Sequence, residues 1–362
     1  MIVVGEKMTE KKKKLHVYDL VPGMVVANDI KSNGKVLIGK GVPVTEYAIK
    51  KLKEHYIFNK IEVYYEEDDE ETENSERQKI KTVEQIEERF NELTFDVEKV
   101  LENVDNLRIS GIDEVRRFAA KIQGELKSTS SVVKNIVLYG SGSDTIYRHG
   151  VNVTALSTIL GKWIGLSGSQ LNLLTYAAIL HDIGKTKIDK NILDKPDRLT
   201  SKEYNEVKMH PTIGYNLIKE VPFLDISVCY GVLMHHERCD GSGYPLGLTG
   251  DKIHQFAKII AIADVFDAVN SDRGYKKSKG PFEALEIIKK ESLGRLDYEY
   301  CNVFLNHVVN YYMGENVMLN TKKICKIIQV DVNDLARPLL LDDTGFIDLK
   351  QHKDLVVEKL VL

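Results

Sequence analysis

Apolar residues recur at Val83, Ile86, Phe90, Leu93, Val97, Val100, Val104 and Leu107, with spacings that alternate three and four. That pattern predicts one long amphipathic helix, about 40 Å in length, with an a/d seam kept for more than three heptads. The seam serves either a second copy of the chain, as a coiled-coil homodimer through the 83–107 helix, or the chain's own core. β-Branched and aromatic residues dilute its leucine content and leave both uses open. Gly111 breaks the pattern, and another amphipathic stretch runs from Ile112 to Leu126.

From about 140 to 312 the pattern is helix after helix across short turns. Gln170–Leu180 closes at His181. Thr200 and Glu203 have capping-box spacing before Tyr204–Met209, and Pro211 suits the first turn of Thr212–Glu220. Ile226–Glu237 and Ala257–Val269 are strongly apolar at helical spacing. The two ends read differently. Residues 15–65 predict a small α+β unit, with strands at Val26, Lys35–Ile38 and Ile61–Tyr65 and a helix over Glu46–His55. Val317–Leu319, Ile324–Val330 and Pro338–Leu341 are short apolar runs punctuated by turns, a β region. The expected fold is mainly α. Residues 1–66 form a small N-terminal α+β domain, 67–139 an acidic linker and a long connecting helix, 140–312 a helical domain, and 313–362 a short C-terminal β region. In the linker, eight of the eleven residues Glu66–Glu76 are acidic, a solvated and self-repelling run.

Composition then removes several function classes. Hydrophobic residues at 43% and charged residues at 29% describe a folded chain rather than a disordered one. A net charge of −4 argues against a coat for duplex nucleic acid. Four cysteines without CxxC spacing argue against a disulfide scaffold or a thiolate zinc site, and for a reducing, cytoplasmic setting. The opening apolar run, Ile2 to Val4, is too short for a signal peptide, and no stretch of 18 apolar residues predicts a membrane span.

The informative count is ten histidines, five of which fall between positions 149 and 236. His149, His181 with Asp182, His210, the pair His235–His236, and Asp264 form a set of neutral imidazoles and carboxylates. Such donors suit divalent Mn, Fe, Zn or Ni. The set is expected near helix ends, and adjacent ligands about 100° apart can serve one ion and bridge to a second. Any one such histidine is more often an ordinary core or surface residue. Seven together, with no cysteine among them, point to a catalytic centre rather than a closed structural zinc. His16, His55, His254, His307 and His352 lack that company and read as surface or core histidines. Lys185, Arg273 and Lys276 follow ligand-bearing helices and favour an anionic substrate. The turn Asp240-Gly-Ser-Gly-Tyr-Pro245 presents Tyr244 beside the histidine pair.

HDIGK at 181–185, HP at 210–211, HHERCDGSGYP at 235–245, GLTG at 247–250 and IADVFDAVNSDRGY at 262–275 together resemble the HD-GYP family of the HD superfamily. The resemblance covers about 170 residues. It implies an HD-type helical bundle and hydrolysis of cyclic di-GMP, to pGpG and onward to GMP, at two divalent ions. Fe or Mn leads for those ions, with Ni, Mg or Zn as the other candidates. It implies His149, His181, Asp182, His210, His235, His236 and Asp264 as ligands, with Asp182 bridging, and a hydroxide between the ions attacking phosphorus. By the same resemblance Lys185 contacts the scissile phosphate, and Tyr244, Arg273 and Lys276 hold the dinucleotide. Residues 15–65 resemble a small domain often found ahead of such modules.

The chain departs from the family at Gly150 (usually Ser), Gly274 (usually Pro) and His254 (usually Pro). Thr145 stands where some relatives use a glutamate for a third ion, with Asp144 one residue back. The other readings are a silent module that binds a cyclic dinucleotide or a partner, and a hydrolase of another phosphoester such as cyclic GMP-AMP or pGpG.

Overall fold

The stripe that begins at Val83 forms helix α1 (Val83–Glu102) in a computed structural model of the chain. The structure describes residues 11–17, 20, 23–32, 35–45, 48–49, 52, 60–65, 81–102, 112–141, 146–195, 197–271 and 281–361. A reciprocal cap opens α1: Thr82 Oγ1 accepts from Gln85 N, and Gln85 Oε1 accepts from Thr82 N. Val104 and Leu107, expected to continue the helix, lie outside the described residues. Ile86, Phe90, Leu93 and Val97 are fully buried in the chain's own core. The coiled-coil homodimer expected through 83–107 is therefore corrected for this face, because the seam already packs within the chain. Burial of each of those side chains is worth about 1.5–3 kcal/mol, which a second copy would have to replace.

After α1 come α2 (Asp113–Glu125), α3 (Thr129–Tyr139), α4 (Tyr147–Trp163) and α5 (Gly168–Leu180). The single turn α6 (Lys190–Leu193), then α7 (Ser201–Val207), α8 (His210–Ile218) and α9 (Ile226–Met234) follow. α10 (Gln255–Asn270), α11 (Pro281–Glu291) and α12 (Tyr298–Val308) come last among the described helices. Every residue of α4 from Arg148 to Gly161 is buried. A helix with no polar face belongs at the centre of a bundle, and α1, α2, α5 and α10 pack around it. The caps read from sequence are present: Thr200 with Glu203 opens α7, and Pro211 sits in the first turn of α8.

The C-terminal β region is a five-stranded antiparallel sheet, ordered β8-β7-β6-β5-β9. Its strands are β5 (Asn316–Leu319), β6 (Ile324–Asp331), β7 (Asp334–Asp342), β8 (Gly345–Asp348) and β9 (Val357–Val361). Pro338 lies inside β7, where it has no N–H for a ladder. The β6–β7 register shifts on both sides of Gln329, beside the proline, which accommodates it. The buried face of the sheet shares one hydrophobic core with the helices.

Residues 1–79 and 80–362 are two separate compact units. In the first, β1 (Lys11–His16) pairs antiparallel with β4 (Lys60–Tyr65), and β2 (Ile30–Ser32) with β3 (Lys35–Ile38). Val17, Val26, Val44, Ile61 and Val63 are among its core residues. β1, KKKKLH, has no apolar alternation to announce a strand. It pairs through its backbone, with Lys14 Nζ 3.5 Å from Glu62 Oε1 on the strand opposite. The helix expected over 46–55 falls mostly outside the described residues. No helix among the described residues is long and apolar enough to cross a membrane.

Candidate metal centre

Four helix ends and one helix middle converge on the site. His149 stands in the first turn of α4, and His181 and His235 cap the C-termini of α5 and α9. Asp182 and His236 follow those caps, and His210 is the first residue of α8. Asp264 departs from the expectation of helix ends, since it lies well inside α10. It still reaches the site because α10 packs on α4.

The structure brings all seven residues together as two clusters. Donor atoms of His149, His181 and Asp264 lie within 4.8 Å of one another, as do those of Asp182, His210, His235 and His236. Asp182 stands between them. Its Oδ1 is 3.2 Å from His210 Nε2 and 3.9 Å from His235 Nε2. Its Oδ2 is 3.4 Å from His181 Nε2 and 3.9 Å from His149 Nε2. One carboxylate thus shows one oxygen to each cluster. His235 and His236 fall in the same cluster, although His236 Nδ1 is also 3.8 Å from Asp264 Oδ2.

The donors are prepared for cations. His181, His210 and His235 each place Nδ1 2.7 Å from a backbone carbonyl, of Ala178, Val207 and Val232 respectively. A carbonyl only accepts, so Nδ1 carries the proton and Nε2 is left bare toward the site. Among the described residues, the buried His181 Nε2 and Asp182 Oδ1 have no hydrogen-bond partner, an arrangement that is costly unless a cation occupies the space. Burial holds His235 and His236 well below the ordinary histidine range, which favours the neutral imidazole that could bind a cation. Burial opposes charge on Asp182, but the Lys185 ammonium beside it outweighs burial and holds the carboxyl well below its usual range. Burial likewise works against a charged His149. Hydrogen bonds to Asp264 and Asp267 outweigh it, and without an ion the ring is pushed up to about 9; an ion taking Nε2 would displace the proton shared with Asp264 and leave the one that Nδ1 gives to Asp267. These residues can hold two divalent ions.

Lys185 lies in the 3-10 turn Ile183–Lys187 with Nζ 2.6 Å from Asp182 Oδ2. Tyr244 stacks on His236, with ring centroids 4.7 Å apart and planes at 26°. Burial pushes its phenol far up, so it remains a hydrogen-bond donor. Arg273, Gly274 and Lys276 lie outside the described residues, as do Asp144 and Thr145. His254 is the N-cap of α10, accepting from Phe256 N, and His307 stacks on Trp163.

Two contributors were missed in the sequence. Asp267 is fully buried and accepts from His149 Nδ1 at 2.7 Å. Its signal was present, one helical turn beyond Asp264 on the same face. Glu237 is buried beneath the GSGYP turn, where Oε1 accepts from Leu246 N at 2.6 Å and Oε2 from Leu248 N at 2.9 Å. Gly243 completes that turn, since a Cβ there would lie 2.3 Å from Arg238 N. In Glu237→Gln only one side-chain oxygen remains, and one of the two backbone donors loses its acceptor. The variant is expected to lose about 1–3 kcal/mol in urea unfolding of metal-free protein while its metal content stays unchanged. An unaltered midpoint would show that the turn does not depend on that carboxylate.

The HD domain family matches residues 131–300. The chain is 33% identical over 207 residues to a cyclic di-GMP phosphodiesterase of Pseudomonas aeruginosa, covering 56% of this chain and 49% of the relative. It is 39% identical to a cyclic di-GMP phosphodiesterase of Thermotoga maritima, covering 44% of each. It is 36% identical to a 3'3'-cGAMP-specific phosphodiesterase of Vibrio cholerae, covering 52% of this chain and 43% of the relative. The chain thus spans about half the length of the curated relatives it matches. In fold it is similar to an HDG"Y"P protein from Bdellovibrio bacteriovorus, with TM-score 0.52, 19% identity, and coverage of 82% of this chain and 99% of that one. Residues 131–300, which carry HDIGK and the GYP turn, are thus similar to the HD domain family.

Proposed function

We propose that the chain is a metal-dependent phosphodiesterase that hydrolyses cyclic di-GMP to pGpG, and onward to GMP, with two ions, Fe or Mn, held by the two clusters. The observation that carries this reading is Asp182, whose two oxygens face separate sets of histidines. The names of the relatives support the substrate class. Four free cysteines fit a reducing, cytoplasmic setting.

Bound ions supply a lowered water pKa and positive charge beside the phosphate oxygens. The chain supplies the rest. Neutral His235 and His236 and the bare Nε2 atoms of His181 and His210 present lone pairs without a competing proton. Asp182 ties the clusters together at a fixed separation. Lys185 Nζ, within hydrogen-bond distance of the same carboxylate, places a fixed cation where negative charge builds on the scissile phosphate. Tyr244 offers a ring edge and a phenol donor to the dinucleotide, and Arg273 and Lys276 are assigned to its phosphates.

Lys185→Ala is expected to keep both ions and lose about 100-fold in turnover. Turnover equal to wild type would remove Lys185 from the reaction. The reading as a whole is tested by incubating Mn- or Fe-loaded protein with cyclic di-GMP, cyclic GMP-AMP and pGpG, and monitoring products by chromatography. Faster cleavage of cyclic GMP-AMP would favour the second reading, to which the Vibrio cholerae relative lends support. No product from any of the three would leave a binding module.

A further inference from the structure

We infer that Glu87, on α1 and outside the residues matched to the HD domain, is a positioning residue for the metal ligand His149, acting through Arg148, Asn152 and Asp267. The inference rests on the two-ion reading above and adds to it a residue that touches neither ion nor substrate.

The connection is a continuous series of hydrogen bonds at the heart of the bundle. Arg148, on α4 beside His149, is buried. Its NH1 donates to Glu87 Oε1 at 3.1 Å and to Asn91 Oδ1 at 2.8 Å. Its NH2 donates to Glu87 Oε2 at 2.6 Å and to Asn135 Oδ1 at 3.0 Å. Nε donates to Asn152 Oδ1 at 3.2 Å. A guanidinium has five N–H groups in a fixed fork, and all five are engaged. Its plane is therefore set chiefly by the bidentate grip of Glu87.

That grip fixes the polarity of the remaining links. Because Asn152 Oδ1 faces Arg148, its Nδ2 faces the other way and donates to Asp267 Oδ1 at 2.8 Å. Asp267 Oδ2 accepts from Ser141 Oγ at 2.6 Å and from His149 Nδ1 at 2.7 Å. His149 must then carry its proton on Nδ1 and turn Nε2 to the cluster, where it lies 3.1 Å from Asp264 Oδ1. An Asn152 amide turned over would set its oxygen against the Asp267 carboxylate. Arg148 prevents that only while Glu87 holds it. Without Glu87, a buried unpaired guanidinium is drawn to another carboxylate, and the one two links away is Asp267.

The test is a double-variant cycle on ion affinity in the full chain, with Mn as the probe. Glu87→Gln is expected to weaken one of two Mn sites about tenfold, the effect ordinary for loss of a residue that orients a metal ligand. Asp267→Asn is expected to weaken the same site. The double variant is expected to be no weaker than Asp267→Asn alone, since both act along one series of bonds. Additive losses, or equal losses at both sites, would overturn the inference. So would unchanged Mn affinity accompanied only by a lower melting temperature, which is the signature of a structural pair. Should Glu87→Gln fail to fold, Asn135→Ala and Asn91→Ala each remove one support of the same guanidinium. One of them must then reproduce the selective loss, and failure of both counts against the inference. A wild-type chain that takes up no Mn overturns the two-ion reading itself; two well-bound ions with an indifferent Glu87 variant overturn this inference alone.

Discussion

Asp182→Asn is expected to abolish both ion binding and hydrolysis, with turnover of cyclic di-GMP down about a thousandfold or more, equivalent to about 4 kcal/mol of transition-state stabilisation. The substitution keeps the shape of the side chain and changes two things. The charge that draws cations into a buried site is gone, and only one of the two positions keeps an oxygen. Because Oδ1 serves His210 and His235 while Oδ2 serves His181 and His149, the amide can complete one cluster only by presenting its NH2 to the other. Metal analysis of freshly purified protein, alongside product chromatography, reads both effects. An Asn variant that retains two ions per chain would mean that the clusters are independent, and that the bridging role belongs to another residue.

Gly184→Ala is the second large effect, and it reaches the same site without touching a ligand. A Cβ on Gly184 would lie 2.0 Å from the carbonyl oxygen of His210 and 2.7 Å from Gly214 N. Both are backbone atoms, so no side chain can yield. The turn after Asp182 must then separate from α8, which carries His210 away from Asp182 Oδ1, now 3.2 Å distant. Overpacking of this kind costs about 3 kcal/mol. The expected result is a lower urea midpoint for metal-free protein together with loss of the ion in the Asp182, His210, His235 and His236 cluster. A variant with full stability and two bound ions would show that α8 can slide to make room.

How much of this was legible in the sequence depended on what kind of signal each residue leaves. The seven clustered residues were legible because histidine and aspartate are chemically marked, and because adjacent pairs and the HD-GYP resemblance pointed to them together. The helices α8 and α9 were legible because each buries one face, and α5 and α10 because they carry long apolar runs that are buried nearly all round. The period of α1 showed which face was apolar but not what would cover it. A seam against α4 and a seam against a second copy have the same spacing. Arg148 and Asn152 were silent for a different reason: buried polar residues on a central helix do not alter its apolar pattern enough to be noticed, and only coordinates reveal what they touch. β1 was silent because four lysines in a row look like solvent-exposed chain, whereas a strand needs only its backbone to pair.

The burial of α1 also decides where this chain can be divided. The family match begins at residue 131, and a fragment cut there would be the natural choice for expression. Such a fragment would lack Ile86, Phe90, Leu93 and Val97, and would open to water the side of α4 that they cover. A cut after residue 300 would likewise remove the sheet whose strands complete the same core. The family describes the catalytic inventory, but the object that folds, and that would be crystallised, titrated or evolved as one piece, runs from about residue 80 to the end of the sheet.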